Sequence, residues 1–149
     1  MKFNFRLQKV LDYRIKIEEE KKNKVASIVS QINKLKAQID EVLNLKQDII
    51  KEMQMNFEVK YFSWASKAIE GIYQTIKNNK EKISVLEKEL EIARNEYIQA
   101  RKDRIVLEKI KEKKYAEYLD EVRKVEKKII EEIAIKMWND KSIREFEWT

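Results

Sequence analysis

The stretch from Val25 to Met53, VASIVSQINKLKAQIDEVLNLKQDIIKEM, decides the fold. Along it, positions that alternate in steps of three and four are apolar at eight of nine places. These positions are Val25, Ile28, Ile32, Leu35, Ile39, Val42, Lys46, Ile49 and Met53. The spacing is that of a coiled-coil seam, in which one face of a long helix packs against a partner helix.

The second half of the chain repeats this spacing from Ile72 to Lys111. A few polar residues interrupt both seams, and they are better interpreted as devices that set the register than as functional groups. The polar seam residues are Arg14, Glu18, Lys21, Lys46, Asn79, Arg104 and Lys111. Two seams in one chain predict two helices that pack on each other.

Between the seams the heptad order lapses and aromatic residues cluster, which predicts a turn within residues 54–64. Asn56 and Ser63 are candidate N-caps there. Asn78-Asn79 is an alternative turn, but the heptad spacing runs through it. We therefore predict one all-α domain over 1–149, a long antiparallel coiled-coil hairpin with an overhanging C-terminal helix. Its expected parts are helix 1 at about 3–54, helix 2 at about 64–138 and a tail at 139–149.

The two predicted helices differ in length, so residues beyond about 120 lack an intramolecular partner. This overhang keeps an apolar stripe on roughly one face, formed by Val122, Val125, Ile129, Ile133 and Trp138. Because a lone helix in water rarely keeps such a stripe exposed without a reason, a partner protein is expected.

Composition excludes several classes of function. The chain contains no His, no Cys, no Pro and one Gly. It therefore lacks the commonest general base and metal ligand, thiolate metal sites and a glycine-rich phosphate loop. We predict a non-enzymatic protein with no catalytic residue, cofactor or metal. The longest apolar run is far too short to span a bilayer, and a soluble cytoplasmic protein is expected.

Charge is distributed unevenly. Residues 1–24 carry 8 basic and 4 acidic side chains, and residues 101–128 carry 11 and 7. The predicted hairpin brings these two segments together as a basic zone for an acidic partner. The acidic residues within 101–128 spoil a continuous phosphate-binding stripe, so nucleic-acid binding is not expected.

Both ends of the chain carry motifs that resemble one family. The motifs are Phe3-Asn4-Phe5-Arg6-Leu7-Gln8-Lys9-Val10-Leu11-Asp12-Tyr13-Arg14, Leu107-Glu108-Lys109, and Glu126-Lys127-Lys128 with Glu131-Glu132-Ile133-Ala134. They resemble FliJ, the small coiled-coil family of the bacterial flagellar type III export apparatus. Glu131-Glu132 stands where that family usually has Asp-Glu. Stalk proteins of the virulence injectisome are the second match.

The resemblance implies a helical hairpin similar to the central stalk of rotary ATPases. It implies docking in the hexameric export ATPase FliI, contact with the export gate protein FlhA, and roles for FliH and export chaperones as further partners. It also implies a cytoplasmic protein at the inner face of the membrane that serves flagellar assembly and motility. A stalk of this kind is expected to be a monomer when free.

Two docking sites follow as hypotheses. At the open end, Arg6, Lys9, Arg101 and Arg104 would face acidic loops of the ATPase pore while the apolar stripe packs inside it. At the closed end, Phe57, Tyr61 and Trp64 would either cap the turn or contact the gate. A generic structural or chaperone-like coiled coil, which would dimerise through its own seam, and a weak nucleic-acid binder are the alternatives.

Overall fold

Two long helices form almost the whole of the described chain. The structure, a computed structural model, describes residues 2–147. Helix α1 spans Gln8–Met55 and helix α2 spans Val59–Glu147, with 48 and 89 residues. No strand occurs between residues 2 and 147. The helices pack against each other, which confirms the predicted all-α fold.

The connection between the helices is short. Residues 56–58 are non-helical and lie inside the predicted 54–64 interval. The side-chain oxygen Oδ1 of Asn56 accepts a hydrogen bond from the backbone N–H of Glu58 at 3.2 Å, a local bond of the kind that favours Asn in turns. The Phe62 N–H donates to the Glu58 carbonyl and begins α2. Ser63 lies within α2 and not at its N-cap, because the helix starts earlier than the sequence indicated.

The expected helix ends also need correction. Helix α1 begins at Gln8 and not near residue 3, and α2 continues to Glu147 instead of ending near 138. Nothing between 139 and 147 breaks a helix, since this segment holds neither Gly nor Pro, and Arg144 in the last turn complements the helix dipole. The predicted tail is therefore helical through Glu147, and its last two residues lie outside the described range.

Packing divides the chain into two units, to which both helices contribute. The hairpin unit is Arg14–Lys102, and the terminal unit combines the residues up to Tyr13 with those from Asp103 onward. Within the hairpin unit, α1 and α2 pair antiparallel. Buried apolar residues from both helices form two clusters, one around Ile28, Ile32, Ile83, Leu90 and Ala93, the other around Ile49, Ala65 and Ile72.

The terminal unit has a small core of its own. Phe5, Leu11 and Leu107 are buried together, and Phe3 packs against them. Residues 2–5 are non-helical, which places the start of α1 later than expected. Side chains two positions apart point to nearly opposite sides of a helix, so Phe3 and Phe5 reach one cluster more readily from a non-helical segment.

Candidate protein-docking surfaces

The C-terminal part of α2 presents an apolar stripe, here called the docking stripe. Residues 123–145 are all exposed, and Ile129 and Ile133 keep about half of their accessible surface (50% and 52%). Residues of the stripe recur at steps of three and four and thus share one face of the helix. The stripe consists of Val122, Val125, Ile129, Ile133 and Met137. The sequence prediction placed Trp138 in this stripe. In the structure Trp138 is exposed on another side of the helix, since it follows Met137 by a single position.

Ion pairs within α2 balance much of the charge beside the docking stripe. Arg123 and Asp120 approach to 4.0 Å, Lys124 and Glu121 to 3.7 Å, each three positions apart on exposed helix. Pairs of this type contribute little to stability and leave a mixed surface. An exposed apolar face, and not a strong basic field, therefore distinguishes the surface of this segment.

The four basic residues predicted to face the ATPase differ in setting. Arg6 and Lys9 are exposed and belong to the terminal unit, as the docking stripe does. Arg104 also belongs to that unit, but it is half-buried and its Nη1 donates to Glu108 Oε2 at 2.6 Å. Arg101 is exposed in the hairpin unit. Because Arg104 already has a carboxylate partner one turn away, Arg6 and Lys9 are the better candidates for an external acidic group.

A pair of aromatic residues, Tyr115 and Tyr118, lies next to the docking stripe in the terminal unit and is here called the seat of Phe3. The ring of Phe3 meets Tyr115 edge-on with 5.2 Å between ring centroids and lies 5.4 Å from Tyr118. Tyr115 and Tyr118 stack at 6.2 Å. Counting along the predicted hairpin from a turn near residue 60 places Phe3 opposite about residue 118, and the contact with Tyr118 confirms this pairing, whereas the contact with Tyr115 was not predicted. The usable signal was the Tyr pair at a spacing of three, which continues the seam toward Val122.

The closed end of the hairpin unit exposes a second apolar surface, here called the tip. It is formed by Met55, Phe57 and Val59, which are 87%, 80% and 83% exposed. Phe57 therefore does not fold over the end of the helices. The prediction from the sequence named only the aromatic residues of this region and did not include Met55 and Val59. Three large apolar side chains around one short turn make a projection suited to a complementary pocket.

The other two predicted tip residues are divided between packing and exposure. Tyr61 packs against the cluster of Ile49, Ala65 and Ile72. Partial burial, with a smaller effect of the Glu52 carboxylate, raises the pKa of the Tyr61 hydroxyl above its ordinary value. Trp64 lies 5.7 Å from the Tyr61 ring and stays more than half exposed. Tyr61 is thus a packing residue, whereas Trp64 is available to a partner together with the tip.

Polar seam residues have specific contacts. Asn79 is buried at 6% exposure, and its Nδ2 donates to Gln38 Oε1 at 3.2 Å. The ammonium of Lys46 donates to the Tyr73 hydroxyl at 2.7 Å and lies 4.5 Å from the centroid of that ring. Arg14, Glu18 and Lys111 are half-buried. These contacts fit a register-setting role better than a chemical one.

A charge cluster joins the helices of the hairpin unit. Lys21 Nζ donates to Glu96 Oε2 at 3.1 Å, and Lys24 approaches the same oxygen to 3.8 Å. The hydrogen bond from Lys21, together with the charges of Lys21 and Lys24, lowers the pKa of Glu96 below its ordinary 4.5. The cluster links α1 to α2 across a polar part of the seam.

The described part of the chain shows no group of three or more Asp or Glu side chains arranged to hold a metal ion. Neither of the two helices contains, among these residues, an apolar segment of the length that a membrane span requires. Its concavities are shallow grooves along the helices, such as the one beside Leu35, Val85 and Leu86. The most distinctive surfaces of this part of the chain are the exposed apolar ones, which are typical of proteins that contact other proteins.

Comparison with known families agrees with this class. The family described as "FliJ: Flagellar FliJ protein" matches residues 2–142, nearly the whole chain. The chain therefore belongs to the FliJ family and is a structural protein related to flagellar export. Comparisons with curated proteins and with solved structures give no match.

Proposed function

We propose that this protein is the non-enzymatic central stalk of the flagellar type III export ATPase. In this proposal the terminal unit docks in the ATPase hexamer FliI and the tip contacts the export gate protein FlhA. The protein acts in the cytoplasm at the inner face of the membrane, and FliH and export chaperones are further partners. The observation that carries the proposal is the docking stripe, an apolar helix face whose residues from Val125 to Met137 are exposed.

A pore lined with apolar and acidic groups complements this surface. Burial of the docking stripe would supply most of the affinity, since fully desolvated apolar anchors dominate binding energy. Arg6 and Lys9 would orient and accelerate docking, because charges at the rim act mainly on the association rate. The balanced charge of the surrounding α2 surface fits a subunit that contacts a ring without adhering strongly to every member of it.

The experiment compares two isoleucine substitutions in the full-length chain. Ile129→Asp places a charge in the docking stripe, and Ile98→Asp places the same charge at a similarly exposed site of the hairpin unit. We expect Ile129→Asp to abolish stimulation of ATP hydrolysis by the purified hexamer while Ile98→Asp retains it. Equal stimulation by both variants and the unchanged chain would refute docking through the stripe.

Contact between the tip and the gate is tested separately. Phe57→Ser removes an exposed side chain, whereas Tyr61→Ala removes a packed one. We expect Phe57→Ser to weaken binding to the purified cytoplasmic domain of the gate with an unchanged melting temperature, and Tyr61→Ala to lower the melting temperature. If Phe57→Ser binds the gate domain as tightly as the unchanged chain, the result would favour the simple capping role of this end.

A generic coiled coil, which would dimerise, is the second candidate, since the docking stripe could also receive another copy of the chain. Sedimentation of the free protein distinguishes the two. A stalk is expected to be a monomer at micromolar concentration, and a stable dimer that Ile129→Asp dissociates would favour the second candidate. A gel shift at physiological salt tests nucleic-acid binding, for which we expect none.

A further inference from the structure

The N-terminal residues 2–5, here called the strap, lie on α2 through side-chain packing. Phe3 contacts Tyr115 and Tyr118, and Phe5 is buried against Leu11 and Leu107. Among the described residues, the one backbone–backbone hydrogen bond that includes the strap is local and joins the Gln8 N–H to the Phe5 carbonyl at 3.1 Å. No such bond ties the strap to α2, so its detachment breaks apolar contacts without leaving a backbone partner unpaired.

The two aromatic residues of the strap are held to different degrees. Phe5 is 8% exposed and belongs to the buried cluster, whereas Phe3 is only partly buried at its edge. Tyr115 beneath Phe3 is itself nearly half exposed. Phe3 can therefore leave while Phe5, Leu11 and Leu107 keep the terminal unit together. Segments with few buried contacts open at low free-energy cost.

The seat of Phe3 and the docking stripe lie on the same face of α2. The positions Tyr115, Tyr118, Val122, Val125 and Ile129 follow each other in steps of three, four, three and four. Side chains with this spacing form one continuous row. The strap thus covers the N-terminal part of a row whose C-terminal part is exposed. A partner surface that advances along the docking stripe toward Tyr118 meets Phe3 next.

We propose that the strap is a displaceable cover that opposes docking. An apolar partner surface that seats on the docking stripe competes with Phe3 for Tyr115 and Tyr118, so docking is strongest when Phe3 has left. This inference rests on the proposed docking in the ATPase hexamer. A ligand that prefers the open form shifts the equilibrium toward it, and closure of the strap lowers the apparent affinity by the fraction of chains that are open.

Binding of Phe3 variants to the purified hexamer tests the cover. We expect Phe3→Ala to bind at least about threefold more tightly than the unchanged chain at the same salt concentration, because the closed fraction no longer reduces the affinity. Phe3→Leu should fall between them. Val10→Ala is the matched control, since it removes another partly exposed apolar side chain from the terminal unit, and it should bind like the unchanged chain.

A spin label on the strap gives a readout that a merely structural role would not change. The chain has no Cys, and Asn4 is exposed in the strap, so Asn4→Cys offers a single labelling site. We expect the label to become more mobile when the hexamer is added. Melting followed by circular dichroism shows whether Phe3→Ala stays folded, and Phe3→Leu gives the test a second variant with more packing retained.

Each outcome decides between the two proposals. In one outcome the unchanged chain binds the hexamer, while Phe3→Ala and Phe3→Leu bind no more tightly and the label stays immobile. This result overturns the proposal that the strap opposes docking but leaves the stalk function intact. Weaker binding of both variants also overturns it, because Phe3 would then assist docking. Failure of the unchanged chain to bind the hexamer overturns the stalk function and the cover together.

Discussion

The seam of the hairpin unit and the docking stripe share one sequence pattern but differ in burial. Ile28 and Ile32 are about 5–6% exposed, whereas Ile129 and Ile133, with the same spacing of four, are half exposed. In the seam, α1 and α2 cover each other. Beyond Val122, no described residue of α1 packs on α2. Apolar periodicity thus specifies a helix face that favours burial. The relative lengths of the two helices decide whether another part of the same chain buries it.

The largest expected effect is a loss of stability when a charge enters the seam, whereas the same change in the docking stripe should be tolerated. Ile32→Asp buries a carboxylate among apolar side chains and should destabilise the fold by more than about 3 kcal/mol. Ile129→Asp, whose side chain is half in water, should change the free energy of unfolding by less than about 0.5 kcal/mol. Urea titrations followed by circular dichroism measure both. Comparable losses would mean that residue 129 is covered in solution.

A second prediction concerns the buried amide in the seam. Asn79→Leu replaces a buried polar group with an apolar one and should stabilise the hairpin unit by about 1–2 kcal/mol. The same change removes the bond to Gln38 that favours one register, so slipped pairings should become detectable. The urea midpoint measures the gain, and cross-linking between the helices measures the slippage. A lower midpoint would show that the Asn79–Gln38 pair stabilises the seam.

Gly71 offers a cleaner test of helix propensity. It lies inside α2, is exposed, and a Cβ built on it meets no atom within 4 Å. Gly71→Ala should therefore raise the free energy of unfolding by about 0.5–1 kcal/mol through backbone entropy alone. Thermal melting measures the gain, and binding to either proposed partner should be unchanged. A lower melting temperature would indicate a contact at this site in solution.

The smallest expected effect involves the Lys21–Lys24–Glu96 cluster. Because the folded-state pKa of Glu96 is lowered, its contribution is present above the ordinary value of 4.5 and is lost as the pH falls through the folded value. Glu96→Gln should therefore lower the melting temperature slightly at pH 7, and the difference from the unchanged chain should vanish in acid. Added salt should also reduce it, since the side chains of Lys21 and Glu96 keep 36% and 38% of their surface in water. A difference that persists in acid would point to packing and not charge.

The amino-acid pattern alone predicts the two helices and the polar residues that interrupt their packing. It also predicts an apolar stripe past residue 120. These features depend on spacing within a few turns, and one chain displays them without reference to its neighbours. The family resemblance likewise rests on local motifs near both ends, and the family match over residues 2–142 bears it out.

Only the tertiary structure decided which apolar residues are covered. Phe57 and Tyr61 look alike in the sequence, yet one projects into solvent and the other packs, because a turn of three residues aims neighbouring side chains in different directions. The hairpin register already places Phe3 opposite about residue 118, but Phe3 was expected in a helix and instead lies in the non-helical strap, where it packs on Tyr115 and Tyr118. Periodicity and the position of the turn show which segments lie opposite each other, but they do not decide which side chains are buried, since burial depends on the conformation of both segments.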